Sequence, residues 1–149
     1  MDTLAVLLTE FWKWTGIPQD KWDAVDFMSF GIESVDFPKI GELCQICLSM
    51  INTQLMPNDM RMFLTAMAID AEDEDILSAC KEYAEDDFIY AIVSYGISHP
   101  QSEARWQMAE LLRRQIKQQD FFLQQLLSDP DAYVRKRTHN VMQDLQQKG

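Results

Sequence analysis

Two stretches in the C-terminal third decide the fold: Ile97-Ser98-His99-Pro100-Gln101-Ser102-Glu103-Ala104-Arg105 and Leu127-Ser128-Asp129-Pro130-Asp131-Ala132-Tyr133-Val134-Arg135. They align without a gap at an offset of 30 residues, so that serine, proline and arginine each match their own kind. The apolar positions stay in phase on both sides of the alignment. Met108, Leu111 and Leu112 fall on Thr138, Val141 and Met142, and Ile92, Val93 and Ile97 fall on Phe122, Leu123 and Leu127.

The aligned stretches predict one supersecondary unit used twice. In each copy an apolar helix ends, a tight turn follows, and proline restarts the chain at the first position of a new helix, where its missing N–H has no partner to lose. Asp129 is suited to cap that new helix. Because a helix pair of this length cannot bury both of its faces alone, such pairs are expected to stack.

The stretch Leu126–Arg135 resembles the turn and second-helix start of HEAT repeats. The resemblance extends over residues 88–147; it departs from the pattern at His99, where an acid is usual, and at Ala104. It survives over 58–85 only as a rhythm of helix pairs. The resemblance implies an all-α protein, a right-handed stack of antiparallel helix pairs with eight to nine helices, in which Val134 is buried and Arg135 braces neighbouring turns. It implies a binding surface and no particular activity.

Periodicity predicts the other helices. Apolar residues recur at helical spacing over 2–15, 20–30, 37–55, 76–83 and 86–96, with a further helix beginning at Asn58 as its cap. Asp2 or Thr3 is expected to cap the first helix and Gly16 to close it. Trp12, Trp14 and Trp22 are expected in the core. We therefore expect one helical domain over 1–149, with irregular helices or a cap over 1–57 and helix pairs over 58–149.

The charge is strongly acidic and unevenly distributed. The formal net charge is −11, and residues 1–97 carry −13 whereas residues 98–149 carry +2. This field opposes binding to nucleic acid and to anionic membranes, and favours a cationic protein partner. A solubilising role is the alternative interpretation. The sequence leaves the oligomeric state open between a monomer and a weak dimer.

The N-terminal residues show no basic leader, and no run of about 18 apolar residues could cross a bilayer. Together with an odd number of cysteines, this predicts a cytoplasmic protein with free, buried thiols at Cys44, Cys47 and Cys80. Cys44 and Cys47 have CxxC spacing but lie within an apolar helix, and no second ligand pair has matching spacing. We therefore expect neither a redox motif nor a metal site.

An acidic stretch and one tryptophan are the candidate partner-binding residues. They are Asp70, Glu72, Asp73, Glu74, Asp75, Glu82, Glu85, Asp86, Asp87 and Trp106. Helix dipoles favour one or two acids at a helix start, which is fewer than are found here. A calcium loop would need a central glycine, and none occurs between Gly41 and Gly96. Trp106 lies outside the apolar stripe of its helix, which fits an interface anchor or packing against an adjacent unit.

No catalytic motif or cofactor-binding loop is recognisable. His99 and His139 are the only histidines, and they are interpreted as a turn residue and an exposed or half-exposed helical residue. Three function hypotheses remain. The first is a non-catalytic binding module, similar in size and charge to bacterial immunity proteins that neutralise basic nuclease toxins. The second is an adaptor or assembly factor that grips a helix or peptide.

The third hypothesis is a protein similar to the HEAT-like glycosylases that remove alkylated DNA bases. Such an activity needs a basic face with aromatic residues. A modest basic group near Trp106 could supply one: Arg105, Arg113, Arg114, Lys117, Arg135, Lys136 and Arg137. The overall negative field argues against this third hypothesis.

Overall fold

The computed structural model of the chain describes residues 3–18, 21 and 33–148. Within these ranges the protein is all-α, with eight α-helices, one short 3-10 helix at Ser34–Asp36 and no strand. The α-helices are α1 (Leu4–Thr15), α2 (Ile40–Met50), α3 (Pro57–Ile69), α4 (Asp75–Tyr83), α5 (Asp86–Gly96), α6 (Ser102–Leu111), α7 (Gln119–Leu127) and α8 (Ala132–Lys148). The helix predicted over 20–30, with Trp22, lies outside the described residues except for Lys21.

Capping residues explain several helix ends, and two helices begin or end at residues other than those predicted. The Thr3 hydroxyl accepts a hydrogen bond from the Val6 N–H, and Gly16 closes α1 in the left-handed region at φ 76°. Helix α3 begins at Pro57 rather than after an Asn58 cap. Proline is suited to the first helical position because a backbone N–H there would have no partner within the helix. The helix predicted over 37–55 is confined to Ile40–Met50.

The helices pack with neighbours two positions away along the chain. Helix α1 packs on α3 and α3 on α5, whereas α2 packs on α4, α4 on α6 and α6 on α8. Their buried apolar side chains form one connected cluster that reaches from Leu4 to Val141. Helix α6 contacts α3, α4, α5, α7 and α8, and therefore lies at the centre of the described part of the protein.

Gly96 lets α5 approach α6 closely. A Cβ atom there would collide with the Sδ and Cγ atoms of Met108 and would come within 3.1 Å of Leu64 Cδ2. Gly96 is the last residue of α5, and the capping residue Ile97 remains right-handed. The glycine therefore serves packing rather than a left-handed helix end.

The two aligned turns use equivalent hydrogen bonds. His99 Nδ1 accepts from the Gln101 N–H at 3.0 Å, and Asp129 Oδ1 accepts from the Asp131 N–H at 2.9 Å. The arginine of each copy then donates to the carbonyl of its own turn, Arg105 to His99 and Arg135 to Asp129. The offset of 30 therefore has a structural basis, and the imidazole replaces the carboxylate as acceptor.

Two details of the predicted turn are wrong. Asp131, not Asp129, caps α8, because its Oδ1 accepts from the N–H groups of Tyr133 and Val134. Pro130 thus precedes the helix instead of occupying its first position. The arginine that joins the two turns is Arg105, whose guanidinium binds the Asp129 carboxylate at 2.8 Å.

No helix in the described ranges is long and apolar enough to cross a membrane.

Candidate functional site

The candidate site is an acidic strip along α4 and its two flanking turns. We define the acidic strip as Glu72, Asp73, Glu74, Asp75, Glu82, Glu85, Asp86 and Asp87. All of these are exposed except Glu74, which is half-exposed. Asp75 and Glu82 are separated by two helical turns, so they lie on the same side of α4. Acids near both ends of α4 therefore lie along one exposed side of this helix.

The strip has two parts separated by the length of α4. Residues 72–75 precede the helix and residues 85–87 follow it, and nine helical residues span about 13 Å. A partner must therefore present cations over at least that distance to meet both parts. A single metal ion or small cation could not.

Few cations neutralise the strip. Arg114 Nη1 lies 3.6 Å from Asp86 Oδ1. In the part of the chain that the structure describes, no ion pair involves the other seven acids. Lys81, the basic residue within the segment, instead points to Glu110 at 3.6 Å. The carboxylates are therefore left to solvent or to a partner.

The C-terminal part of the strip is held in place by a side chain that the sequence analysis did not select. Asn52, at φ 67°, donates from Nδ2 to the Tyr83 carbonyl at 2.9 Å and accepts from the Glu85 N–H at 2.7 Å. Arg114 donates to the carbonyls of Ala84 and Lys81. Asparagine tolerates the left-handed region better than most residues, which was the available signal. These bonds fix the turn that displays Glu85, Asp86 and Asp87.

An aromatic side chain and a shallow groove border this part of the strip. Tyr83 is 64% exposed beside Glu82. The groove has a volume of about 500 Å³ and is lined by Asp86, Asp87, Tyr90, Gln115, Ile116 and Lys117. The Lys117 ammonium lies 4.4 Å from the centroid of the Tyr90 ring. The sequence analysis selected neither tyrosine as a surface feature; Tyr83 has the helical spacing of the apolar residues Ile76, Leu77, Ala79 and Cys80.

Asp70, predicted to bind a partner, is buried instead. It is 3% exposed, and its Oδ2 accepts a hydrogen bond from the Ile76 N–H at 2.8 Å. Burial raises the pKa of Asp70 to about 6, although the Ile76 hydrogen bond opposes the shift. The carboxylate connects the end of α3 to the start of α4. Asp70 is therefore excluded from the outward-facing acids.

Trp106, predicted as an interface anchor, is also buried. It is 6% exposed, its ring lies edge-on to Tyr133 with centroids 5.9 Å apart, and the Arg137 guanidinium lies 4.1 Å from its centroid. The position lies off the apolar stripe of α6, yet helices surround α6. Trp106 therefore packs against an adjacent unit, which was the other interpretation of its position.

The basic residues near Trp106 are engaged within the protein. Glu110 is buried and binds Arg113 at 3.0 Å and Arg137 at 3.3 Å, and Arg113 also binds Asp144. Burial opposes ionisation of Glu110, but Arg113, Arg137 and Lys81 together lower its pKa. These pairs reduce the positive charge that Arg113 and Arg137 could offer to a phosphate.

The histidines and cysteines occupy internal or unremarkable positions. His99 is buried, and its Nε2 lies 3.0 Å from Thr65 Oγ1, whereas His139 is exposed on α8. Cys44, Cys47 and Cys80 are free and buried, as predicted. Burial raises the pKa of the Cys80 thiol to about 12. Trp12 is buried as expected, but Trp14 is 39% exposed.

Comparisons of the chain with protein-family models, with curated proteins and with solved structures found no match.

Proposed function

We propose that this protein is a non-catalytic binding module whose acidic strip docks a positively charged protein. The observation that carries the proposal is that six exposed acids and the half-exposed Glu74, on α4 and its flanking turns, have no cation partner among the described residues. Like charges held close together repel and cost stability. A cationic partner would neutralise them and would associate rapidly under their field.

The packing of helices two positions apart supports the stack that the HEAT resemblance implies. Contacts α1–α3 and α3–α5 would form one layer, and contacts α2–α4, α4–α6 and α6–α8 the other. The equivalent arginine bonds at Arg105 and Arg135 support a repeated unit. In this proposal the stack is right-handed, α1 and α2 continue it as the N-terminal cap, and the chain forms a single domain.

The partner class we favour is a basic nuclease toxin, with this chain as its immunity protein. A nuclease active site is basic because it must hold phosphate, and an acidic strip about 13 Å long is complementary to it in charge. Free thiols support a role in a reducing compartment such as the bacterial cytoplasm.

Three features support a binding role rather than catalysis. His99 Nδ1 accepts from a backbone N–H and its Nε2 contacts Thr65, so the ring is engaged within the fold. The cysteine thiols are buried with raised pKa values, which opposes thiolate chemistry. The arginines near Trp106 are paired with Glu110, Asp129 and Asp144, which disfavours the glycosylase hypothesis.

The test is co-expression with the protein encoded by the adjacent gene. We expect a complex that co-purifies and protection from that protein's toxicity. Reversing Asp73, Glu74, Asp86 and Asp87 to lysine should weaken the complex at least about 100-fold, since close interfacial charge pairs couple strongly. The measurement is the dissociation constant at two salt concentrations, together with survival of the co-expressing cells.

A matched control distinguishes an effect of the acidic strip on binding from an effect of the net charge. Glu33, Asp36, Glu42 and Asp120 are exposed acids outside the strip. Reversing these four changes the net charge equally and should weaken binding less than about tenfold, through steering alone. Equal losses from both quadruple variants, or absence of a complex and of protection, would refute docking through the strip.

The groove beside Tyr90 supports a second candidate, an adaptor that grips a peptide. Ile116 and Tyr90 would contact its apolar side chains, while Asp86 and Asp87 would contact a basic end. For an adaptor, Tyr90→Ala should weaken binding strongly, whereas reversal of Asp73 and Glu74 should leave it unchanged. The toxin-binding proposal predicts the opposite ranking.

A further inference from the structure

Three residues far apart in the sequence bring ligand atoms together at the junction of α2, α3 and α4. Cys44 Sγ and one carboxylate oxygen each from Asp70 and Asp75 all lie within 4.8 Å of one another. Cys44 lies on α2, Asp70 follows α3, and Asp75 begins α4. Ligand atoms around a tetrahedral zinc ion are about 3.6 Å apart, so a small contraction would complete the geometry.

A buried oxygen supplies an independent indication of a ligand. Asp70 Oδ1 is inaccessible to solvent and receives no hydrogen bond of ordinary geometry from the described residues, whereas Oδ2 accepts from the Ile76 N–H. The group that interacts with the carboxylate from the other side is the Cys44 thiol. Buried carboxylate oxygens are costly without a partner. A cation bound between this oxygen, the Cys44 sulfur and Asp75 would satisfy the lone pair more fully than the weak thiol donor does.

The surrounding field favours a cation at this junction. Burial and then the charges of Asp70, Asp75 and Asp73 raise the pKa of the Cys44 thiol. The carboxylates therefore resist a negatively charged thiolate, and a dication would relieve that repulsion. Asp75 is exposed, which leaves an open side for entry and for bound water.

We propose that Cys44, Asp70 and Asp75 bind one thiophilic divalent cation of the Zn²⁺ class, with water as the fourth ligand. Sulfur ligation selects such ions over Ca²⁺ and Mg²⁺, which prefer oxygen alone. The site would fasten the start of α4, and with it the N-terminal part of the acidic strip, to α2 and α3. This inference does not rest on the proposed docking function.

Binding is a ligand exchange without a redox step. The Cys44 S–H bond breaks and its proton goes to the buffer, while the sulfur electron pair forms the metal–sulfur bond. Each carboxylate donates an oxygen lone pair, and the hydrated ion releases all of its water molecules except the one that remains as the fourth ligand. Any proton on Asp70 is released as well, so protons compete with the metal for the same ligands and uptake weakens in acid.

The test uses Co²⁺ as a spectroscopic probe on the full chain in a thiol-free, anaerobic buffer. We expect a thiolate-to-cobalt charge-transfer band that saturates at one equivalent and disappears when Zn²⁺ is added. Zn²⁺ should also raise the Tm of the wild type. Cys44→Ser should abolish the band, and Cys47→Ala, which removes the other thiol of α2, should retain it.

Exposed acids provide a comparison that does not threaten the fold. Asp75→Asn should weaken Co²⁺ binding at least about tenfold, whereas Asp73→Asn, with the same change of charge in the same turn, should weaken it less than about threefold. Absence of the charge-transfer band in the wild type, its persistence in Cys44→Ser, or equal effects of the two asparagine variants would overturn the proposal.

Discussion

Charged side chains around α6 are paired with opposite charges, whereas most acids of the acidic strip are not. Around α6, Glu110 meets Arg113 and Arg137, and Arg105 meets Asp129. In the strip, Asp86 lies 3.6 Å from Arg114 and its neighbours have no cation among the described residues. Charged groups near α6 thus hold helices together, whereas the acids of the strip face outward.

This difference separates charges that stabilise the fold from charges that do not. Paired carboxylates in a poorly solvated region contribute through hydrogen bonds and reduced screening. Exposed like charges contribute little or repel. A region that keeps eight such acids gains no folding stability from them, which is why we assign them to recognition. Substitutions in the two regions can test this contrast directly.

The largest expected effect is at Glu110. Glu110→Ala leaves the guanidinium groups of Arg113 and Arg137 without their buried carboxylate, and we expect the free energy of unfolding to fall by about 4 kcal/mol. The folded-state pKa of Glu110 lies below its ordinary value of 4.5. Its stabilisation is therefore complete above pH 4.5 and is lost as the pH falls through the lower, folded pKa. Denaturant unfolding of both forms from pH 3 to 7 measures this; equal stability at pH 7 would contradict the structural role.

The next effect concerns Asp70 and has the opposite sign with pH. Because the folded pKa is raised from 3.8 to about 6, the group destabilises the fold as the pH rises through 6. Asp70→Asn should remove a loss of stability of about 3 kcal/mol between pH 4 and pH 7. Unfolding is measured with a chelator present, so that no metal contributes. Parallel pH profiles for wild type and variant would show that Asp70 is solvated.

A smaller loss is expected at Gly96, where no charge is involved. Gly96→Ala places a Cβ against the side chains of Met108 and Leu64, so either the Met108 side chain or α5 must shift. We expect a destabilisation of about 2 kcal/mol from overpacking. The control is Gly41→Ala, because a Cβ at Gly41 meets no atom within 4 Å. Thermal unfolding in which both variants match the wild type would contradict the close approach.

The smallest effect on stability is expected in the strip. Changing Asp73, Glu74, Asp86 and Asp87 to their amides should alter the free energy of unfolding by less than about 0.5 kcal/mol per position. At low salt the variant should have the larger free energy of unfolding, because the amides relieve the repulsion between the carboxylates. Chemical denaturation at low and high salt measures both. A large destabilisation would mean that these acids support the fold, and the contrast with Glu110 would fail.

The sequence predicted the repeated unit more successfully than it predicted exposure. The offset of 30 residues corresponds to equivalent bonds at Arg105 and Arg135. Local composition suffices for such features because a turn is stabilised by residues close in the chain. The predicted burial of the three cysteines was confirmed for the same kind of reason, since they lie on apolar helix faces.

Burial at polar positions could not be predicted from periodicity. On α6, Trp106, Gln107 and Glu110 lie off the apolar stripe, which in a surface helix would place them in solvent. They are buried because helices contact α6 on several sides, and Gln107 Nε2 finds the carbonyl of Met67, 40 residues away. Trp106 was a candidate interface anchor for this reason, whereas Asp70 was a candidate because it begins an acidic run.

The sequence alone determined that this protein is helical, that its C-terminal units repeat, and that its negative charge is concentrated before residue 98. These properties follow from spacing and composition, which act over a few helical turns. The tertiary structure decided which acids are buried, which arginines are paired, and that Cys44, Asp70 and Asp75 meet. Such outcomes depend on which helices become neighbours, and that is set by the packing of the whole core.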